Sequence, residues 1–279
     1  MSAPPEAPGI PGPERPFRHR RRRRRERGAP RRGLYLLPHL LTTANLFFGF
    51  YAIVHAFTGN PDKAALGIVL AIVCDVLDGR VARFARSTSR FGVEYDSIAD
   101  TVSFGVAPAM LAFAAGNLQV LGRPGWVLAF LFTGCAALRL ARFNVVPARY
   151  QGRFEGMPSP AAAGAVASTQ WFVSFLREHG IAVWAPEWLV AGGVALLGLL
   201  MVSAIPYRSF KELDLRHGFG TLVLVVVALA LVIQEPSVSL FAIGIAYALS
   251  GPVEWLWRRA LHRPLERLPE PAPSEPSRG

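Results

Sequence analysis

Cys74-Asp75-Val76-Leu77-Asp78-Gly79-Arg80-Val81-Ala82-Arg83 is followed, after a gap of eight residues, by Gly92-Val93-Glu94-Tyr95-Asp96-Ser97-Ile98-Ala99-Asp100. The first block ends an apolar run over about 64–84, and the second opens another over about 93–115. Each run is near the roughly 20 residues that a bilayer-spanning helix needs. Ionisable groups are costly in such segments and mark function by default. On a helix, Asp75 and Asp78 are three apart and share a face, as do Asp96 and Asp100, four apart. The short connection Ser87–Phe91 makes the two helices antiparallel neighbours. Four carboxylates then converge near one membrane surface.

The rest of the chain fits a bilayer. Of 279 residues, 52% are hydrophobic and 18% charged, against about 25% charged in a soluble domain. That content excludes global disorder, and two cysteines, Cys74 and Cys135, exclude a disulfide scaffold. Both cysteines read as small buried hydrophobes. Eight spans are expected, at about 36–57, 64–84, 93–115, 124–143, 158–176, 187–205, 219–234 and 238–257. They are separated by Gly59-Asn60-Pro61-Asp62, Gly122-Arg123-Pro124-Gly125, Pro186-Glu187 and Glu235-Pro236-Ser237. The fold class is therefore an all-α integral membrane protein with about eight transmembrane helices.

The net charge of +11 is segregated, with eleven of the thirty Lys and Arg lying between Arg15 and Arg32. With the N-terminus in the cytoplasm, 27 of the thirty fall on inner segments, and only Lys63, Arg123 and Arg177 fall outside. The positive-inside bias thus puts both termini in the cytoplasm. Residues 1–33 read as a disordered Arg/Pro-rich tail, 34–260 as the membrane domain and 261–279 as a second disordered tail. The Arg-rich tail reads as a topological anchor, and nucleic acid is not an expected partner. A cleaved signal peptide is not expected. His39 and His55 read as packed or interfacial, and Trp126, Trp184, Trp188, Trp255 and Trp257 as an aromatic belt.

Four carboxylates stay ionised together only if cations compensate them; otherwise they take up protons. Proton relays use one or two such groups, whereas clustered oxygen ligands suit Mg²⁺ or Mn²⁺ with a substrate phosphate completing the sphere. Two ions about 3.5–4 Å apart would suit phosphoryl transfer. Gly79 and Ala82 flank the acidic face, and Gly92 lies one turn before Asp96. Beside the carboxylates, these small residues read as space for a bulky phosphorylated ligand, with Arg83 on the same groove.

The pattern D-x2-D-G-x2-A-R-x8-G-x3-D-x3-D, from Asp75 to Asp100, resembles the signature of the CDP-alcohol phosphatidyltransferases, with no position departing. The resemblance implies displacement of CMP from a CDP-linked lipid by an alcohol. Asp75, Asp78 and Asp96 match ligands of a two-metal site holding Mg²⁺ or Mn²⁺. Asp100 matches the general base and can also touch a metal. Gly79, Ala82 and Arg83 match positions that hold the CDP moiety, and Gly92 belongs to the same cradle. Four further stretches resemble the membrane-embedded, serine-accepting branch: Pro38–Asn45, Arg139–Val145, Phe154–Ala163 and Ser203–Lys211.

CDP-diacylglycerol and L-serine are then the expected substrates, in a cytoplasmic membrane, with the site facing the cytoplasm and a homodimer implied. Asn45, an amide in the first span, is a candidate nucleotide contact. The zwitterionic acceptor needs a cation for its carboxylate, and bidentate arginine suits one. Arg139, Arg142, Asn144, Arg208 and Lys211 are the acceptor-side candidates. Two alternatives stand beside this reading: a sibling transferase using glycerol phosphate or inositol phosphate, and a cation or proton transporter.

Overall fold

Turn chemistry sets the helix boundaries. Gly59 takes φ +75°, which glycine adopts without steric penalty. Pro61 then opens the next helix, where a missing N–H is harmless. The Asn60 carbonyl accepts from the Ala64 N–H at 3.1 Å and closes the first turn. The computed structural model describes residues 32–85, 89–145, 153–182, 185–208, 230 and 232–261. Its helices are α1 (Arg32–Phe57), α2 (Pro61–Ala85), α3 (Arg90–Asp100), α4 (Ala107–Ala115), α5 (Arg123–Val145), α6 (Ser159–Glu178), α7 (Glu187–Val202) and α8 (Pro236–Ala260). A π-helical segment, Thr101–Val106, joins α3 to α4, so that Arg90–Ala115 forms one rod of 26 residues.

Seven of the eight expected spans fall on these helices; the one at 219–234 lies largely outside the described residues. Four stretches are long and apolar enough to cross a membrane: Leu37–Phe57, Arg90–Ala115, Arg123–Val145 and Pro236–Ala260. α7 is apolar but spans only 16 residues. α2 is long enough at 25 residues, but the charges Asp75, Asp78, Arg80 and Arg83 dilute its second half. Both tails, 1–31 and 262–279, lie outside the described residues, and α1 begins at Arg32, inside the expected N-terminal tail.

One feature departs from an all-α expectation. β1 (Arg153–Glu155) and β2 (Pro206–Arg208) pair antiparallel, with Arg153 opposite Arg208, Phe154 opposite Tyr207 and Glu155 opposite Pro206. Strands of three residues, some fifty positions apart, carry no periodic signal that a sequence reading can use. Tyr207 anchors the ribbon: it is fully buried, and its hydroxyl donates to the Ala248 carbonyl of α8 at 2.9 Å. Burial, with Tyr247 beside it, pushes its phenol up to about 12, which keeps it a neutral donor.

The core is built of small residues. Ala52 and Ala56 of α1 meet Ala64, Ala65, Ile68 and Ala71 of α2, in the most extensive helix pair of the fold. A Cβ on Gly67 would come within 2.9 Å of the Phe48 carbonyl. Without an apolar driving force between helices in lipid, such close backbone approach and its packing hold the bundle. Large side chains such as Phe47, Phe50, Phe57, Phe130 and Trp188 are instead exposed, as a lipid-facing surface requires. Trp126, Trp255 and Trp257 are exposed too, whereas Trp184 is outside the described residues. Cys135 is buried and Cys74 only half-buried.

Gly156 joins the ribbon to the bundle. It takes φ +77°, and a Cβ there would collide with the Met201 carbonyl. Its N–H donates to Ile205 O at 2.9 Å, and the next N–H, of Met157, donates to Leu200 O at 2.9 Å. Gly156→Ala should therefore destabilise the protein by about 1–3 kcal/mol, read as a lowered unfolding midpoint in detergent. Gly192→Ala inside α7, where a Cβ meets nothing, should not lower the midpoint and should raise it slightly, alanine being the better helix former.

Candidate metal and transfer site

α2 and α3 run antiparallel and deliver the carboxylates as their spacing predicts. Asp75, Asp78 and Asp96 each offer an oxygen within 4.8 Å of the others. Three oxygen donors of one sign at that separation suit a hard divalent cation. Asp96 Oδ1 is buried and has no hydrogen-bond partner among the described residues, an orphan acceptor that a cation would satisfy. Asp78 is buried, and Thr42 Oγ1 of α1 donates to its Oδ2 at 3.2 Å. The residues present therefore fit the metal that the sequence pattern implies.

Asp100 lies outside this group of three. It is buried yet near enough for Asp75, Asp96 and Asp78 to act on it electrostatically. Its place is set by α1: Asn45 Nδ2 donates to Asp100 Oδ1 at 2.9 Å. Asn45 was expected at the nucleotide; in the structure its amide is fully buried and turned to Asp100. The π-helical segment begins immediately after Asp100, and widened turns of this kind gather at functional sites. It is pinned on two sides. Ser103 Oγ donates to Asn45 O at 2.9 Å, and Thr133 Oγ1 of α5 donates to Gly105 O at 3.2 Å.

The small residues separate into two kinds. A Cβ on Gly79 would meet only Arg83 Nη1, at 3.7 Å, so this side of the acidic face is open. Ala82 is half-buried and Arg83 exposed beside it. Gly92 is different: a Cβ there would come within 3.0 Å of His39 Cε1 and 3.1 Å of Ser89 Oγ. His39 also meets Phe91 edge-on at 5.9 Å, which bears out its packed reading. Gly92 thus admits α1 against the start of α3, where Ser89 caps the helix through the Gly92 N–H at 2.9 Å.

The acceptor-side candidates do not stay together. Arg139 Nη1 donates to Ser159 Oγ at 3.3 Å, and its guanidinium is within electrostatic reach of Asp100 and Tyr247. Arg142 pairs with Glu155 of β1. Asn144 Nδ2 donates to Ser97 Oγ at 2.9 Å, next to Asp96. Arg208 is turned to Glu254 of α8 at 3.2 Å, and Lys211 lies outside the described residues. Sequence reading had assigned nothing to Thr42, Ser103, Ser159, Glu155 or Glu254. Thr42 was findable, three residues before Asn45 on the same helical face; Ser103 and Glu254 carried no such signal.

A helical bundle with long apolar helices and an aspartate cluster, drawn from two successive helices, that could hold a metal ion is the class that this geometry defines. The family model for CDP-alcohol phosphatidyltransferase matches residues 35–197, and the chain belongs to that family. A protein of Helicobacter pylori named CDP-diacylglycerol–serine O-phosphatidyltransferase is 35% identical over 229 residues, 82% of this chain and 94% of the relative. One of Mycobacterium tuberculosis with the same name is 33% identical, over 80% of this chain and 79% of its own. Another of Bacillus subtilis is 34% identical, over 63% of this chain and 92% of its own.

Outer partners of metal ligands typically matter about 10–100-fold. Thr42→Val should therefore weaken Mn²⁺ binding about tenfold, and Asp78→Asn should weaken it further, both read by calorimetry on the detergent-solubilised protein. Equal Mn²⁺ affinity in Thr42→Val and the parent would remove Thr42 from the site.

Proposed function

We propose that this chain transfers a phosphatidyl group from CDP-diacylglycerol to L-serine, giving phosphatidylserine and CMP. The observation that carries the reading is the convergence of Asp75, Asp78 and Asp96, with Asp100 held separately by Asn45. The activity for which the relatives are named supports the choice of serine. In this reading the chain crosses the cell membrane eight times, with both termini and the site on the cytoplasmic side, which the distribution of Lys and Arg supports. The lipid tails stay in the bilayer, and the CDP head enters between α2 and α3.

Asp75, Asp78 and Asp96 would hold Mg²⁺ or Mn²⁺, with Asp100 within their electrostatic reach. When bound, the metal neutralises the pyrophosphate and the charge developing on the leaving group. The protein's own residues orient and move the proton. Gly79 leaves room beside the acidic face, and Ala82 and Arg83 line that groove against the CDP moiety. Gly92 sets how close α1 stands to the cradle. Asn45 holds one oxygen of Asp100, and the other takes the proton from the serine hydroxyl. The hydroxyl oxygen forms its bond to the lipid-bearing phosphorus as the bond from that phosphorus to the CMP oxygen breaks, and its electron pair leaves with CMP. Aspartate is a weak base for an alcohol, so the proton moves late, as the new bond forms.

Membranes carrying the protein should release CMP from CDP-diacylglycerol with L-serine, and chelation should abolish the release. Asp100→Asn should lower turnover about 10²–10⁴-fold while leaving CDP-diacylglycerol binding intact. CMP release with glycerol phosphate or inositol phosphate but not with serine would overturn the assignment.

A further inference from the structure

The positive groups near the transfer site are not equally available. Arg139 and Arg142 lie three apart, at the end of α5, and a bare sequence reading makes them a pair of cations. The structure splits them. Arg142 Nη2 is bonded to Glu155 Oε2 on β1, and Glu155 is mostly buried, with 14% of its side chain exposed. Glu155 is fixed where it stands, since β1 is paired to β2 and Gly156 is docked on α7. Farther along the ribbon, Arg153, Arg208 and Arg258 all converge on Glu254.

Arg139 has no carboxylate partner among the described residues. Its Nε is buried and without a hydrogen-bond partner there, and one Nη group has only the Ser159 hydroxyl, at 3.3 Å. It is nonetheless close enough to Asp100 for charge to couple them. A guanidinium offers five donors; Arg139 also faces the Phe143 ring at 5.9 Å, but its unpartnered Nε in a poorly hydrated place calls for an anionic group. The group that arrives beside Asp100 is the acceptor.

We propose that Glu155 sets the charge class of the acceptor: by neutralising Arg142 it leaves Arg139 as the guanidinium that receives one carboxylate, and denies the site a second free cation. This rests on the serine reading above. A carboxylate brings one negative charge, whereas a phosphate monoester brings about 1.5–2 at neutral pH. A single guanidinium matches the first bidentately. The second would need Arg142 as well, and would meet the Glu155 carboxylate instead. Specificity of this kind comes from the repulsive element as much as from the attractive one. In serine, two carbons separate the carboxylate group from the hydroxyl oxygen, so one end at Arg139 leaves the other for Asp100.

The test is initial CMP release by the full-length protein in lipid–detergent micelles, with L-serine, ethanolamine (serine without its carboxylate) and sn-glycerol 3-phosphate. The parent should prefer serine to both. Arg139→Gln should raise the KM for serine about tenfold or more, with the KM for CDP-diacylglycerol unchanged, and should bring the serine-to-ethanolamine ratio near one. Glu155→Gln should gain CMP release with glycerol 3-phosphate. Arg142→Gln with Glu155→Gln, which removes the freed cation again, should return to the parent's serine-to-glycerol-phosphate ratio. That restoration separates charge from mere damage to the ribbon.

An unchanged serine-to-ethanolamine ratio in Arg139→Gln overturns the proposal, and that variant alone decides if Glu155→Gln does not fold. Equal acceptor ratios in the single and double Glu155 variants overturn it as well. A parent that uses glycerol 3-phosphate and not serine overturns the functional reading itself; a serine-specific parent whose Glu155→Gln variant stays serine-specific overturns only this inference.

Discussion

Carboxylates cannot crowd together inside an apolar bundle unless something answers their charge, and this fold is arranged around that demand. α2 and α3 bring Asp75, Asp78 and Asp96 within reach of one cation, and α1 supplies the donors that hold the arrangement still. Thr42 takes an oxygen of Asp78 and Asn45 an oxygen of Asp100. The small residues of the α1–α2 contact serve the same end. Only backbones in near contact allow short side chains such as threonine and asparagine to cross from one helix to the next.

The C-terminal ends of α5 and α8 are tied by ion pairs. Two glutamates, Glu155 on the ribbon and Glu254 on α8, gather Arg142, Arg153, Arg208 and Arg258. Such pairs contribute little to stability when solvated, but in a partly dry place they fix which charges remain available. Positive charge clustered at this end of the bundle is thereby kept from competing for a substrate's phosphates. Arg139, within electrostatic reach of Asp100, is the exception.

Much of this was legible beforehand. The helical runs around Asp75–Asp100 follow from apolar length and turn residues, and the shared face of Asp75 and Asp78 from helical spacing alone. Arginine roles were not legible. Arg139 and Arg142 look equivalent in sequence, and only the ribbon, whose strands are too short and too far apart to read, distinguishes them. Asn45 likewise could be placed on a helix but not aimed, because its partner is 55 residues away. The π-helical segment was invisible for a different reason. Thr101–Val106 contains no proline, and its one glycine is explained by close packing, since a Cβ there would come within 3.3 Å of the Ala136 Cβ.

That widened segment has a geometric result for the whole rod. An α-helix turns about 100° per residue, so one extra residue in a turn resets the phase of everything beyond it. α3 and α4 are covalently one helix but angularly two. The stretch carrying Asp96 and Asp100 is indexed to α1 and the aspartates of α2, while the stretch carrying Ala107, Leu111 and Ala112 is indexed to the buried core. The site half and the core half of one rod can therefore each keep its own face without a loop between them.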